Sequence, residues 1–187
     1  MSELKYHQVI NKFVKDNSFT SYIELGLRDP NSTFNHVICE RKESVDLVSC
    51  GATHTMSTDE YFAGPGADDS FDIYLHDASH YHDIVRVDVK NIFARWKDNS
   101  ILVIDDVNPE ELWLLDEQWC GTAWQVWAEL RQRDDLEMHI FRGTRFGYIK
   151  KGKQIPFTKT IIPTFEFLEE NREELMNFID FDENSRF

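Results

Sequence analysis

Long apolar runs are missing from this chain, and so are the glycines that a phosphate-cradling turn needs. No uninterrupted apolar stretch approaches the roughly 20 residues of a membrane span. The opening MSELKYHQVINKFVKD mixes charge with apolar residues and has no apolar core of the kind a signal peptide uses. A cytoplasmic address without membrane insertion is expected. Positive charge is scarce, with 20 Lys and Arg against 34 Asp and Glu and a formal net charge of −14. Such a surface repels phosphate backbones, which makes DNA or RNA a poor partner. The basic clusters Lys150-Lys151-Gly152-Lys153 and Arg131 to Arg133 read as decoration of a solvated face. Cysteine is sparse as well: Cys39, Cys50 and Cys120 are odd in number and lack CxxC spacing. They support neither a disulfide framework nor a closed zinc site and read as partly buried thiols.

What is present is the composition of a soluble globular protein, 187 residues with 41% hydrophobic and 29% charged. That length suits one domain with a sizeable core: an N-terminal helix within 1–18, a core over 20–150 and a C-terminal helix within 160–187. Leu4, Val9, Ile10, Phe13 and Val14 recur at near-helical spacing, which predicts an amphipathic helix over 3–16. Strands are predicted at 22–25, 44–48, 53–56, 71–75 and 100–104. A capping cluster at Asn31-Ser32-Thr33 predicts a short helix carrying Phe34, Val37 and Ile38. Ser57-Thr58-Asp59-Glu60 has the form of a capping box, and residues 80–96 form the clearest helix. A helix around Trp124, Trp127 and Leu130 follows, then Leu136 to Phe141 and Arg145 to Ile149 around Gly143 as an antiparallel pair, then a docked helix in 164–179. Alternating strands and helices with wholly apolar strands predict an α/β fold. The expected architecture is a Rossmann-like doubly wound sheet, mostly parallel, with an antiparallel C-terminal strand pair and helices on both faces.

In such a sheet, ligands bind beyond the carboxyl ends of the strands. Those ends carry Glu24-Leu25-Gly26, Asp46, Ser57, Asp77 and Asp105-Asp106, a concentration of carboxylates that is costly unless something cationic or rich in donors binds there. A dinucleotide would want G-x-G-x-x-G after the first strand. The chain has Gly26-Leu27-Arg28-Asp29-Pro30-Asn31 instead, so a nicotinamide oxidoreductase fits badly. A ligand with a positive centre and a ribose fits better. Gly26 permits close approach, and Asp46 is placed to accept hydrogen bonds from ribose hydroxyls; S-adenosylmethionine has that shape and charge.

The stretches SYIELGLRDPNSTFNHV, SVDLV, TMSTDEYF, FDIYLHDASHYHDIVRVDVKN, ILVIDDVNP and GTAWQVWAELR resemble, in order and spacing, the class I S-adenosylmethionine-dependent methyltransferases. The resemblance is to a group of small bacterial and phage-type members and covers about residues 22 to 149. It implies that Glu24 and Gly26 form the methionine-side turn, that Asp46 holds the ribose, that Ser57 and Thr58 lie near the adenine and that Asp77 closes the pocket. His80 matches the family's histidine and would serve with Asp77 in catalysis, as a general base or by ordering its loop. Asp77 with Asp105 and Asp106 looks like the triad with which some members bind Mg²⁺ or Mn²⁺. Three positions depart from the pattern: Ala78 replaces a glycine, Leu47 a proline and Asp105 a histidine. A zinc cluster of His76, His80 and His82 is not expected, because they fall on different elements. Trp124 and Trp127 are expected in the core, while Trp113 and Trp119 would either line an acceptor pocket or fill the core under a lid. The implied activity is methylation of a small-molecule or sugar-like acceptor, chiefly on oxygen. The competing class is a non-catalytic protein that keeps the fold for interaction.

Overall fold

The computed structural model describes residues 4–184. Its centre is a seven-stranded sheet of order β3-β2-β1-β4-β5-β7-β6. The strands are β1 (Ser21–Leu25), β2 (Arg41–Asp46), β3 (His54–Thr55), β4 (Ile73–His76), β5 (Ile101–Ile104), β6 (Leu136–Ile140) and β7 (Gly147–Lys151). β1 to β5 pair in parallel, and β7 inserts antiparallel between β5 and β6, opposing Ile104 to Gly147 and Ile140 to Gly147. The doubly wound sheet with its antiparallel C-terminal pair is thus observed as expected.

The middle strands have no solvent-facing side. SYIEL, IYLH and ILVI are buried at every position, as strands covered on both faces must be. On one face lies α1 (Tyr6–Asn17), whose Val9, Ile10 and Phe13 pack with Phe19, Tyr22 and Val37. On the other lie α2 (Thr58–Ala63), α3 (His82–Ala94), α4 (Trp124–Leu130) and α5 (Phe165–Met176), around a cluster that includes Trp124 and Trp127. Both indoles are buried, as their shared helical face predicts. β6 would expose a sheet edge, a liability for association. The tail covers part of it: Ile179 bridges Phe141, and its N–H donates to the Ile140 carbonyl at 2.9 Å.

Three expectations are corrected. The predicted helix through Phe34, Val37 and Ile38 is a single 3₁₀ turn, Phe34–His36, and Ile38 is 77% exposed. The second strand ends at Asp46, not Val48, because the Asp46 carboxylate accepts the backbone N–H of Val48 at 2.9 Å and turns the chain outward, as Asp does in local turns. Arg131 is no surface charge. It is 4% exposed, and its guanidinium donates to the Leu175 and Glu174 carbonyls, the unpaired C-terminal acceptors of α5. No helix among the described residues is long and apolar enough to cross a membrane.

Candidate functional site

The carboxyl ends of β1, β2 and β4 open onto a cavity of about 470 Å³, within the range of small-molecule sites. Gly26 shapes its floor. With φ of +89°, it sits where an added Cβ would lie 2.1 Å from the Asp77 carbonyl oxygen and 2.7 Å from the Ala78 Cα. Any side chain would force the ends of β1 and β4 apart, and the left-handed conformation itself favours glycine.

Asp46 stands at the rim with both oxygens fixed by backbone: Oδ2 accepts from Arg28 N–H at 2.8 Å and Oδ1 from Val48 N–H at 2.9 Å. The Arg28 backbone has φ of +48°, and the charged turn bears on the cavity through this contact with Asp46, since Arg28, Asp29 and Pro30 are not among its lining residues. Each carboxylate oxygen retains acceptor capacity for a ligand hydroxyl. Ser57 and Thr58 line the same cavity from the start of α2. Their position is set by the predicted capping box, in which the Ser57 hydroxyl accepts Glu60 N–H at 3.2 Å and the Glu60 carboxylate accepts Ser57 N–H at 2.9 Å.

Of the six residues expected to hold a cofactor, Gly26, Asp46, Ser57 and Thr58 line the cavity. Glu24 does not. It shares a strand face with Tyr22, accepts that hydroxyl's hydrogen bond at 2.6 Å, and is 2% exposed. Burial raises its pKa to about 7. Asp77 contributes backbone beneath Gly26, while its carboxylate belongs to a neighbouring cluster. Sequence reasoning missed Met56 and Ile84, which add apolar wall, and Tyr81 and Glu117. Met56 precedes the capping box, so its place was legible. Glu117 carried no local signal; it reaches the cavity because its carboxylate accepts the Tyr81 hydroxyl at 2.5 Å and its carbonyl lies 3.0 Å from His80 Nδ1.

Beside the cavity, the ligand atoms of Asp77, His80 and Asp106 lie within 4.8 Å of one another. The expected triad is therefore revised: the structure gathers Asp77 and Asp106 with His80, whereas Asp105 accepts a hydrogen bond from the Tyr6 hydroxyl of α1. Both residues lie beyond the last residue of β5, and the φ of +59° at Asp106 turns the chain there, so the two carboxylates find different partners. His76 pairs with Asp88 at 2.9 Å and His82 with Glu129 at 2.8 Å, so the three histidines do not converge.

The electrostatics of the cluster follow from crowding. Burial, with Asp105 and Asp106 nearby, raises the Asp77 pKa well above the carboxylate range. Burial and then Asp106 raise Asp105 to about 6. Burial would also raise Asp106, but hydrogen bonds from His80 and Cys120 outweigh it and hold this carboxyl down. His80 Nε2 lies 3.0 Å from Asp106 Oδ2, and this hydrogen bond does most to lift the imidazole to about 9. Facing a carbonyl at Nδ1 and a carboxylate at Nε2, His80 is a donor at both nitrogens and is an imidazolium at neutral pH.

Once His80 and Asp77 release their protons, as metal ligands must, the donor set fits a divalent cation. Two carboxylates suit Mg²⁺ or Mn²⁺, and the imidazole tilts the preference toward Mn²⁺. The Nδ1 contact with the Glu117 carbonyl is of the kind that orients a ligating histidine in metal sites.

No protein-family model matches the chain, and no curated sequence does. Solved structures do match in shape. MycE, a methyltransferase of the mycinamycin biosynthetic pathway in complex with Mg, S-adenosylhomocysteine and mycinamycin VI, superposes with a TM-score of 0.54 at 15% identity, over 89% of this chain and 53% of that one. The chain thus spans about half the length of MycE. A putative O-methyltransferase from Klebsiella pneumoniae matches with a TM-score of 0.58 at 12% identity, over 80% of this chain and 81% of that one. The S-adenosylhomocysteine-bound methyltransferase PaMTH1 from Podospora anserina gives 0.53 at 17% identity, over 82% and 80%. At these identities the likeness is one of fold: the chain has the Rossmann-like fold that these methyltransferases share.

Proposed function

We propose that the protein transfers the methyl group of S-adenosylmethionine to a hydroxyl of a small-molecule acceptor, assisted by Mg²⁺ or Mn²⁺ at Asp77, His80 and Asp106. The observation that carries this reading is the junction of cavity and cluster: His80 lines the 470 Å³ cavity and belongs to the carboxylate–imidazole group. The methyltransferase fold supports it, as does the presence of Mg and S-adenosylhomocysteine in the MycE complex. The cofactor would supply an electrophilic sulfonium methyl, and the cation would favour the acceptor's alkoxide.

The remaining work falls to the chain. Asp46, already held by two amides, offers its other lone pairs to ribose hydroxyls. Gly26 lets the backbone come close, and Met56 with the start of α2 walls the adenine side. Asp77 and Asp106 would hold the cation that orients the acceptor oxygen, and such positioning is a large part of the acceleration available to a transfer of this kind. His80 holds its Nε2 proton at neutral pH, so it would ligate the cation, or take the acceptor's proton, only after giving its own to solvent. The cytoplasm is the proposed compartment, which the free thiols of Cys39, Cys50 and Cys120 suit.

A second reading has one observation behind it: the turn after β1 keeps a single glycine, and no α-helix intervenes between β1 and β2 or between β2 and β3. A protein so pared down could retain the fold only for interaction. Incubation with methyl-labelled cofactor, hydroxylated small molecules and Mn²⁺ separates the two. The enzyme reading predicts labelled product, reduced about a hundredfold or more by a chelator and by Asp106→Ala. Transfer indifferent to both treatments removes the metal from the mechanism, and cofactor binding without transfer to any acceptor favours the interaction module.

A further inference from the structure

A second cavity at the same edge of the sheet, about 370 Å³, lies between α1, the end of β5 and the turn joining β6 to β7. Arg145 lines it from that turn. The Arg145 carbonyl accepts Val107 N–H at 3.0 Å, which fixes the residue beside Asp105 and Asp106. Its side chain is half-buried, yet among the described residues no hydrogen bond or ion pair reaches the guanidinium. Cys120, Asp106, Asp105 and Tyr6 act on it only as nearby polar or charged groups. Of the other donors around the cavity, the Tyr6 hydroxyl is committed to Asp105, the Trp113 indole N–H to Glu111 at 2.6 Å and the Thr144 hydroxyl to the Phe141 and Phe146 carbonyls, while Lys5 lines it as a second cation. The Trp113 ring is 53% exposed and stands edge-on to Trp119 at 5.3 Å, so it can still pack against a ligand.

We propose that this cavity receives the methyl acceptor and that Arg145 binds an oxyanion carried by it, a carboxylate or a phosphate, while Trp113 packs against its body. The assignment of the occupant as acceptor rests on the methyl-transfer reading of the neighbouring cavity; the oxyanion site does not. A guanidinium presents its donors as a planar fork that matches a carboxylate or phosphate bidentately, and among the described residues none of the Arg145 donors is spent inside the fold. Glu110 and Glu111 stand on the exposed rim, and with Asp105 they repel a dianion more than a monoanion. A carboxylate is therefore preferred to a phosphate.

The test follows the Arg145 side-chain Nε–H resonance in isotope-labelled full-length protein during titration with sodium benzoate, inorganic phosphate and neutral benzamide. Circular dichroism confirms the fold of each variant. The expected result is saturable binding of benzoate at least tenfold tighter than benzamide, lost in Arg145→Gln and partly kept in Arg145→Lys. Binding of phosphate alone supports the site and names its ligand as a phosphate group. The proposal is overturned if neither anion saturates the resonance, or if Arg145→Gln leaves anion affinity within twofold; Arg145 is then only a counter-charge to Asp105 and Asp106. Titration with S-adenosylhomocysteine, run separately, keeps the two readings apart: anion binding without it leaves the oxyanion site standing and removes the acceptor assignment.

Discussion

Glu24 and Asp72 show how one residue type acquires opposite properties from its surroundings. Burial would raise Asp72, but the Lys97 ammonium at 2.7 Å, with Thr20 N–H and the Ser21 hydroxyl, more than offsets it and brings the carboxyl down to about 2. Glu24 has one hydroxyl partner, and burial wins, lifting it from 4.5 to about 7. The folded protein therefore keeps a proton on Glu24 that the unfolded chain releases near pH 4.5. Because the native state binds more protons across that window, this residue makes stability fall as pH rises from about 4.5 to about 7. Glu24→Gln should abolish its share of the fall, on the order of 3 kcal/mol at 1.36 kcal/mol per pH unit. Urea denaturation of both proteins at pH 5 and pH 8 measures it. Parallel pH slopes in the two would show that Glu24 is ionised in the fold.

At the scale of elements, the site depends on how closely β1 and β4 end. Gly26→Ala would set a Cβ against the Asp77 carbonyl at 2.1 Å, in a conformation that strains any L residue. The variant should lose at least ~2 kcal/mol of stability and bind S-adenosylhomocysteine far more weakly; unchanged denaturation and binding would mean that the strand ends give way freely. Much at this scale was legible in the sequence. The all-apolar run Ile101–Ile104 announced a buried strand, and the Ser57 box announced α2, because both signals are local. What escaped depends on contacts distant in sequence. Ile38 looked like a buried helical residue, but it stands largely exposed after a single 3₁₀ turn. Arg131 looked like a surface charge until α5 arrived, more than forty residues later, with carbonyls to satisfy. His80 joined Asp77 and Asp106 in Asp105's place for the same reason. After β5, Asp105 is bonded by Tyr6 and Asp106 by His80 and Cys120, partners that ILVIDD alone does not announce.

For the whole molecule, the account ties an acidic protein to a cationic, ribose-bearing cofactor. A net charge of −14 disfavours nucleic acid while leaving attraction for a sulfonium and for divalent cations. The sheet gathers carboxylates from four strand ends along one edge: Glu24 is buried and accepts the Tyr22 hydroxyl, Asp46 is fixed by amides, and Asp77 and Asp106 share a cluster with an imidazolium. The most direct test of the central claim is calorimetric titration of the protein with S-adenosylhomocysteine at neutral pH, with and without Mn²⁺, beside the Asp46→Ala variant. The account predicts saturable binding, weakened about tenfold or more when Asp46 is removed, as the loss of hydrogen bonds to a charged acceptor requires. Absence of heat at high protein concentration, or an affinity indifferent to Asp46, would contradict it.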